Sequence, residues 1–364
     1  MKVINWEELG KVNKPYFTYL KKHISDIEKT GKYILGKNVE KLELGIAKYL
    51  NVKYCIAVGN GLDALTISLM ALDLPKGSEV IVPSNTFYAS VVAIVRAGLI
   101  PILCEPDEDT YNISANSISR LINKKTSAIM VVHLYGNPCE MDEICDLAKK
   151  HNLKLVEDCA QSFGAEYKHK KVGGFGNISA YSFYPTKNLG GIGDGGIICT
   201  NDLKLYNYCI KARTYGGSNY QYDSIGINSR MDEINAMFLR SKLKDIEKLN
   251  NKKIRNAKMY LNGIKNHSII LPKETPDSRH VFHIFCIRVE NRAKFQKYLD
   301  KNSIKYLIHY PNPLYKQKGL KGFIHKEYPI SQKLSNTILS LPCSAAHTKG
   351  EIRRIINVIN KYEG

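Results

Sequence analysis

Val156-Glu157-Asp158, followed after a glycine-rich turn by Ser182-Phe183-Tyr184-Pro185-Thr186-Lys187 and then Gly190-Gly191-Ile192-Gly193, decides how this chain reads. An apolar run ending in Asp158 predicts a buried strand with a carboxylate at its carboxyl end. There it can hold a pyridine nitrogen protonated, while a lysine on a later loop closes a Schiff base with an aldehyde; that pairing suits pyridoxal 5'-phosphate (PLP). Alone, Asp158 would serve equally well as a cap for the segment that follows. Gln161, within reach of the ring oxygen of such a cofactor, and Ser182, ending another strand where its hydroxyl can meet a phosphate, tip the reading toward a site.

Working outward, short β-branched runs recur at 54–58, 79–82, 100–104, 128–134, 154–157, 178–183 and 196–200, mostly separated by helical patterns. Strand-helix alternation predicts an α/β, mostly parallel sheet of seven strands. Met141, Ile144, Cys145 and Ala148 form the stripe of a half-buried helix, whereas 62–72 is apolar nearly all round and should be buried. A long helical pattern runs over 231–265 through Ile234, Phe238, Leu243 and Ile246, before Pro272 and Pro276 break the chain. This divides the chain into 1–250, an N-terminal segment plus a large PLP-binding domain, and 251–364, a small α+β domain. The latter is expected to hold a strand at 281–289 and helices at 292–302 and 351–362. In an open parallel sheet ligands gather at the carboxyl ends of the strands, where Asp158 and Ser182 both fall.

Three glycine motifs need separating. Residues 191–196 match GxGxxG literally, yet they precede a strand, whereas a dinucleotide fingerprint follows a strand and opens a helix. Residues 31–38 resemble a phosphate loop, but Asn38 stands where a magnesium-binding Ser or Thr belongs and a helix-like segment precedes it, so they read as a plain loop. Gly59-Asn60-Gly61-Leu62-Asp63 lies between a strand and the buried helix. There the Gly61 and Leu62 backbone N–H groups and the helix dipole offer a phosphate cradle, the bland alternative being a tight strand-to-helix turn.

Composition excludes other classes. Hydrophobic residues make up 44% and charged residues 24% of the 364, ordinary for a soluble protein, and no apolar run of membrane-spanning length occurs. The first residues lack the order of a signal peptide, which predicts a cytoplasmic protein with no membrane partner. Nine cysteines without a CxxC pair read as buried thiols in a reducing compartment, with neither a disulfide framework nor a metal site. The net charge of +19 comes from dispersed lysines without interleaved aromatics, which argues against nucleic acid and fits a phosphate-bearing small substrate.

Residues 31–40, Gly59-Asn60-Gly61-Leu62-Asp63-Ala64-Leu65, Pro83-Ser84-Asn85-Thr86-Phe87, His133-Leu134-Tyr135-Gly136, Glu157-Asp158-Cys159-Ala160-Gln161, 182–188, Asn228-Ser229-Arg230-Met231-Asp232-Glu233 and His309-Tyr310-Pro311 together carry a family likeness. Over nearly its whole length the chain resembles the nucleotide-sugar aminotransferases of the DegT family, which have the aspartate aminotransferase fold, fold type I of the PLP enzymes. The resemblance implies that Lys187 forms the internal aldimine, Asp158 pairs with the pyridine nitrogen, Gln161 contacts the ring hydroxyl and Phe87 stacks on the ring. It implies that Gly61, Leu62 and Ser182 hold the phosphate, with Asn228 reaching in from the second subunit of a homodimer with shared active sites. The family often has Ser-Gly-Thr where this chain has Asn60-Gly61-Leu62, so one side-chain hydroxyl to the phosphate is missing. Glutamate, leaving as 2-oxoglutarate, is the implied donor.

Tyr184-Pro185-Thr186-Lys187-Asn188-Leu189-Gly190 and Asn228-Ser229-Arg230 look like the branch acting at C-3 of dTDP-linked 3-keto-6-deoxyhexoses in surface-glycan (lipopolysaccharide) synthesis. Branches acting at C-4 more often have histidine at the position of Tyr184. Tyr184, His309 and Tyr310 are the candidates for the sugar and nucleotide side; His309 and Tyr310 would alternatively just pack a loop before Pro311. A C-4 nucleotide-sugar or cyclitol aminotransferase is the competing reading. A hydroxyl-removing branch replaces the Schiff-base lysine with histidine, and Lys187 argues against it. A non-enzymatic polyanion binder on the same fold would carry no cofactor.

Overall fold

A computed structural model describes residues 2–324 and 326–364. Its centre is a seven-stranded sheet of β1 (Tyr54–Val58), β2 (Glu79–Pro83), β3 (Ile100–Cys104), β4 (Thr126–Val132), β5 (Lys154–Asp158), β6 (Ile178–Ser182) and β7 (Gly196–Thr200), in the order β1-β7-β6-β5-β4-β2-β3. The pairs among β3, β2, β4, β5 and β6 are parallel, and β7 runs antiparallel between β6 and β1. Each sheet face is covered by helices, so the strands are apolar on both sides. Ile56, Val58, Val80, Val82 and Met130 face the helices Gly61–Ala71 and Tyr88–Arg96. Alternate residues face the other way: Cys55, Ala57, Ile197 and Cys199 meet Leu42, Ile46 and Leu239, while Ile81, Ile129 and Val131 meet Met141 and Ile144. The helix Gly61–Ala71 lies under the sheet and buries seven of its eleven residues. Among them, Ser68 returns its hydroxyl to the Ala64 carbonyl at 2.7 Å, so its polar atom is satisfied within the helix.

Two sequence expectations change in detail. The pattern over 231–265 is two helices, Glu233–Leu243 and Ile246–Gly263, broken at Lys244 and Asp245. Asp245 accepts a hydrogen bond from the Tyr16 hydroxyl at 3.1 Å, and the break lets each helix face a different core. The first packs on Leu42 and Ile46, and the second carries Ala257 and Tyr260 into the C-terminal cluster. The strand expected over 281–289 shortens to β8 (Phe285–Arg288), paired antiparallel with β9 (Ile338–Leu341). Its first residues donate elsewhere: Val281 N to the Gly136 carbonyl at 3.0 Å and Ile284 N to that of Tyr135 at 3.3 Å.

The C-terminal cluster gathers Phe285, Ile287, Phe295, Leu299, Leu339, Ile352 and Ile355 around β8, β9 and the helices Arg292–Lys301 and Lys349–Asn360. Ile4 from the opposite end of the chain joins it, bridged in parallel to Ile304. All nine cysteines are free thiols and only Cys145 is not fully buried. Among the described residues no helix is long and apolar enough to cross a membrane.

Candidate active site

Register places the site at one edge of the sheet. Val58 and Ser182 both pair with Gly196, and Asp158 pairs with Ala180, so the ends of β1, β5 and β6 lie side by side. The turn after β1 opens the helix Gly61–Ala71, where the Asn60 side chain caps by accepting from Asp63 N at 2.8 Å. That bond serves the third amide of the helix; those of Gly61 and Leu62, the first two, have no carbonyl one turn back to bond. A Cβ on Gly61 would fall 2.7 Å from the Ser182 Cβ, so only glycine lets the helix end come this close to β6. Ser229 fixes the turn from behind, accepting from Gly59 N at 2.9 Å and donating to Asp63 at 2.8 Å. Its neighbour Asn228 bridges to Thr214.

Glu157 and Asp158 are consecutive on β5 and therefore point to opposite faces. Glu157 is saturated: Gly173, Phe175 and Gly176 donate backbone N–H groups at 2.6–2.7 Å, and His133 Nε2 lies 3.2 Å away. His133 Nδ1 accepts from Cys139 N at 3.0 Å, which leaves the proton on Nε2 to donate to Glu157. His133, Glu157 and Cys159 cluster closely, but the histidine and the carboxylate are committed to these bonds rather than to a metal. Among the described residues, the Asp158 carboxylate receives two donors, Ser90 Oγ at 2.7 Å and Ala160 N at 3.0 Å, and keeps lone pairs to spare. Burial pushes its pKa up, against the pull of those donors and of Lys187.

Lys187 lies just beyond β6, its loop closed by Lys187 N donating to the Tyr184 carbonyl at 2.8 Å. Desolvation lowers its amine to about 8, with Asp158 opposing and Lys253 adding to the fall. Gln161 accepts from Tyr135 N at 2.6 Å and donates through Nε2 to the Tyr310 hydroxyl at 2.9 Å, keeping one N–H unused. Phe87 stands 5.3 Å from the Tyr310 ring, and both Phe87 and Tyr184 are exposed. His309 Nδ1 is 2.8 Å from Ser340 Oγ, and burial holds its pKa down to about 4, so the ring is neutral at pH 7.

The structure thus gathers Gly61, Leu62, Ser182, Asp158 and Lys187 along one edge, and joins Gln161, Tyr310 and Phe87 by contacts across it. Sequence reasoning missed Ser90, whose hydroxyl orients Asp158 and is itself 2.9 Å from Thr86 Oγ1. It also missed Asn250, Lys253 and His283, polar groups buried beneath the site. No periodic signal marks a serine inside a helix; a buried Asn and Lys three residues apart in an otherwise amphipathic helix was the available clue.

The model of the DegT/DnrJ/EryC1/StrS aminotransferase family matches residues 19–360. The chain belongs to that family. A dTDP-3-amino-3,6-dideoxy-alpha-D-galactopyranose transaminase of Aneurinibacillus thermoaerophilus is 44% identical over 99% of both chains. A dTDP-3-amino-3,4,6-trideoxy-alpha-D-glucose transaminase of Streptomyces venezuelae is 35% identical over 93% of this chain and 90% of its own. Among solved structures, S. venezuelae DesV in complex with a ketimine intermediate superposes with a TM-score of 0.96 at 33% identity, covering 99% of this chain and 98% of that one. The structure of ntda from Bacillus subtilis with bound cofactor PMP gives 0.92 at 28% identity, covering 99% and 85%.

The fold of this DegT-family chain is therefore that of the fold type I PLP enzymes, as the sheet order and site edge required, and it is an aminotransferase. PLP is the cofactor of the family, and the residues here fit it. The glycine-lined cradle beside Ser182 suits a phosphate. The partly unsatisfied buried carboxylate of Asp158 suits a protonated ring nitrogen, and the amine brought down to about 8 suits an aldehyde.

Proposed function

We propose that this protein transfers the amino group of L-glutamate to the C-3 keto group of a dTDP-3-keto-6-deoxyhexose, yielding a dTDP-3-amino-3,6-dideoxyhexose for surface glycans such as lipopolysaccharide. Two features carry the reading: the Lys187–Asp158 edge, and an end-to-end identity of 44% to a transaminase named for a dTDP-3-amino-3,6-dideoxyhexose. The enzyme works in the cytoplasm as a homodimer with shared active sites, Asn228 of one protomer completing the phosphate site of its partner. Residues 251–364 act as the small domain that brings His309 and Tyr310 to the cleft, with Ile4 anchored to it.

Bound PLP supplies an electron sink that carries the amino group between donor and acceptor. Gly61, Leu62 and Ser182 hold its phosphate, Phe87 covers the ring, and the spare N–H of Gln161 serves the ring oxygen. Asp158, aimed by Ser90 and Ala160, keeps the proton on the ring nitrogen. Lys187 is the base. With its amine at about 8, roughly a tenth is neutral at pH 7, several hundred times the share of an ordinary lysine. Its Nζ takes the proton leaving the donor's α-carbon and supplies the one delivered to sugar C-3 in the second half-reaction. Tyr184, His309 and Tyr310 line the sugar side, where the neutral His309 can donate or accept a hydrogen bond without adding charge.

The test is the reverse reaction, with 2-oxoglutarate as amino acceptor and either a dTDP-3-amino or a dTDP-4-amino 6-deoxyhexose as donor. Loss of the amine from the 3-amino sugar is expected, and Lys187→Ala should lower that rate at least roughly a thousandfold. Turnover of the 4-amino sugar alone would overturn the C-3 assignment.

A further inference from the structure

The helix Ile246–Gly263 turns one polar face toward the Lys187 loop. Asn250 and Lys253, three residues apart, are neighbours on that face and both are buried. The Asn250 side chain accepts from Asn188 Nδ2 at 2.7 Å and donates to the Phe163 carbonyl at 2.9 Å, so the residue next to Lys187 is clamped to this helix. One turn on, Lys253 Nζ donates to the His283 carbonyl at 3.2 Å. His283 in turn abuts the site loops: a Cβ on Gly136 would lie 3.0 Å from both His283 N and the Gln161 carbonyl. Its Nδ1 is buried with no partner. Among the described residues no carboxylate is ion-paired with Lys253. A buried ammonium held only by a carbonyl costs several kcal/mol in desolvation as an order of magnitude, and a purely structural bond would be met more cheaply by a neutral donor.

We propose that Lys253 is a positioning residue of the active site, a buried positive charge carried on the same helix face that clamps the Lys187 loop and acting on the Lys187 amine. The charged and titratable groups facing Lys187 come from three directions: Asp158 on β5, Lys253 on the helix, and His283 and His309 from the C-terminal part. Both histidines are held neutral by burial, so near pH 7 desolvation of Lys187 favours the neutral amine most, Asp158 favours the ammonium, and Lys253 adds to the side of the neutral amine. Without Lys253, desolvation would still hold the Lys187 amine below an ordinary lysine, but Asp158 would meet less opposition and the neutral, basic share of Lys187 at pH 7 would fall.

This inference rests on Lys187 being the cofactor lysine, and its test reads the amine directly. The full-length chain, stripped of cofactor and again loaded with pyridoxamine phosphate, is labelled briefly with an amine-selective acylating reagent across a pH series. The share of modified Lys187 is counted by peptide mass spectrometry. The unsubstituted chain without cofactor should show a midpoint near about 8. Lys253→Met and Lys253→Gln should both move it upward, cutting Lys187 labelling at pH 7 roughly threefold or more, while Lys253→Arg keeps it in place. Gln can still donate to the His283 carbonyl, so it separates charge from hydrogen bond even where Met fails to fold. A Gln variant with an unchanged midpoint overturns the proposal and leaves the aminotransferase assignment standing, because that assignment is tested by sugar turnover.

Discussion

Two glycine-marked turns open helices in this chain, one with its first amides taken by a carboxylate and the other with its first two amides unengaged. Residues 31–36 lead into the helix Lys37–Leu50, whose Asn38 and Val39 N–H groups are already taken by the Glu233 carboxylate at 2.9 and 2.8 Å. The turn after β1 leads into the helix Gly61–Ala71, whose cap engages a single amide and leaves the first two beside Ser182. Both helix ends carry the same partial positive charge. What separates them is a resident anion: Glu233 is buried against the first, so that end is filled by the protein itself, and the second stays open at the sheet edge. Glycine spacing alone does not make an anion site; an unfilled helix end at a ligand edge does.

Adding one carbon at each turn should break the symmetry most sharply. In Gly61→Ala the new Cβ meets the Ser182 Cβ at 2.7 Å, so helix and strand must part and the phosphate cradle opens. PLP affinity, read from its visible absorbance on titration, should fall on the order of a hundredfold, about 2.7 kcal/mol. In Gly36→Ala the Cβ meets the Glu233 Cδ and the Lys32 Cγ at 2.8 Å, both side-chain atoms that can swing away. That variant should melt earlier and bind PLP within about threefold of the parent. A Gly61→Ala protein that binds PLP as the parent does would remove the cradle from this turn.

The comparison also shows what the sequence could disclose. All seven strands of the central sheet were legible, because strands buried on both faces are short runs rich in apolar and β-branched residues. Asp158, Ser182 and the Gly61 turn were placed by the same runs, since each sits where a strand stops, whereas Lys187 lies on the loop beyond β6. The contrast between the two turns was only half legible. Asn38 argued against a nucleotide loop, yet nothing within 31–38 announces a carboxylate 195 positions along the chain that takes the Asn38 amide. Likewise Asn250 and Lys253 meet the Lys187 loop only through tertiary packing, and the break at Asp245 answers to Tyr16, far off in sequence. Local periodicity reports which face is buried, not which polar partner waits there.

The filled end can be emptied of its charge. Glu233→Gln keeps one oxygen to accept from the helix but turns the other acceptor into a donor facing N–H groups, and it removes the charge that meets the helix dipole. Denaturant unfolding should show a loss of about 2–3 kcal/mol. PLP affinity should stay within about threefold, because the amides of this helix end are taken by Glu233 and not left for a ligand. A large loss of PLP with little loss of stability would mean that the plugged end belongs to the site.

The smallest effect is expected at the open end, where the cap and the cradle use different amides. Asn60→Ala strips the acceptor from Asp63 N and the donor to the Asp63 carboxylate, a loss of about 1 kcal/mol in unfolding free energy. Asn60→Ser should recover most of it, since a serine hydroxyl caps nearly as well. Neither change touches the Gly61 and Leu62 amides, so both variants should hold PLP within about threefold of the parent, and Gly61→Ala should stand apart from them. If Asn60→Ala instead lost PLP as heavily as Gly61→Ala while Asn60→Ser kept it, the side chain at 60, not the bare amides, would be the phosphate ligand.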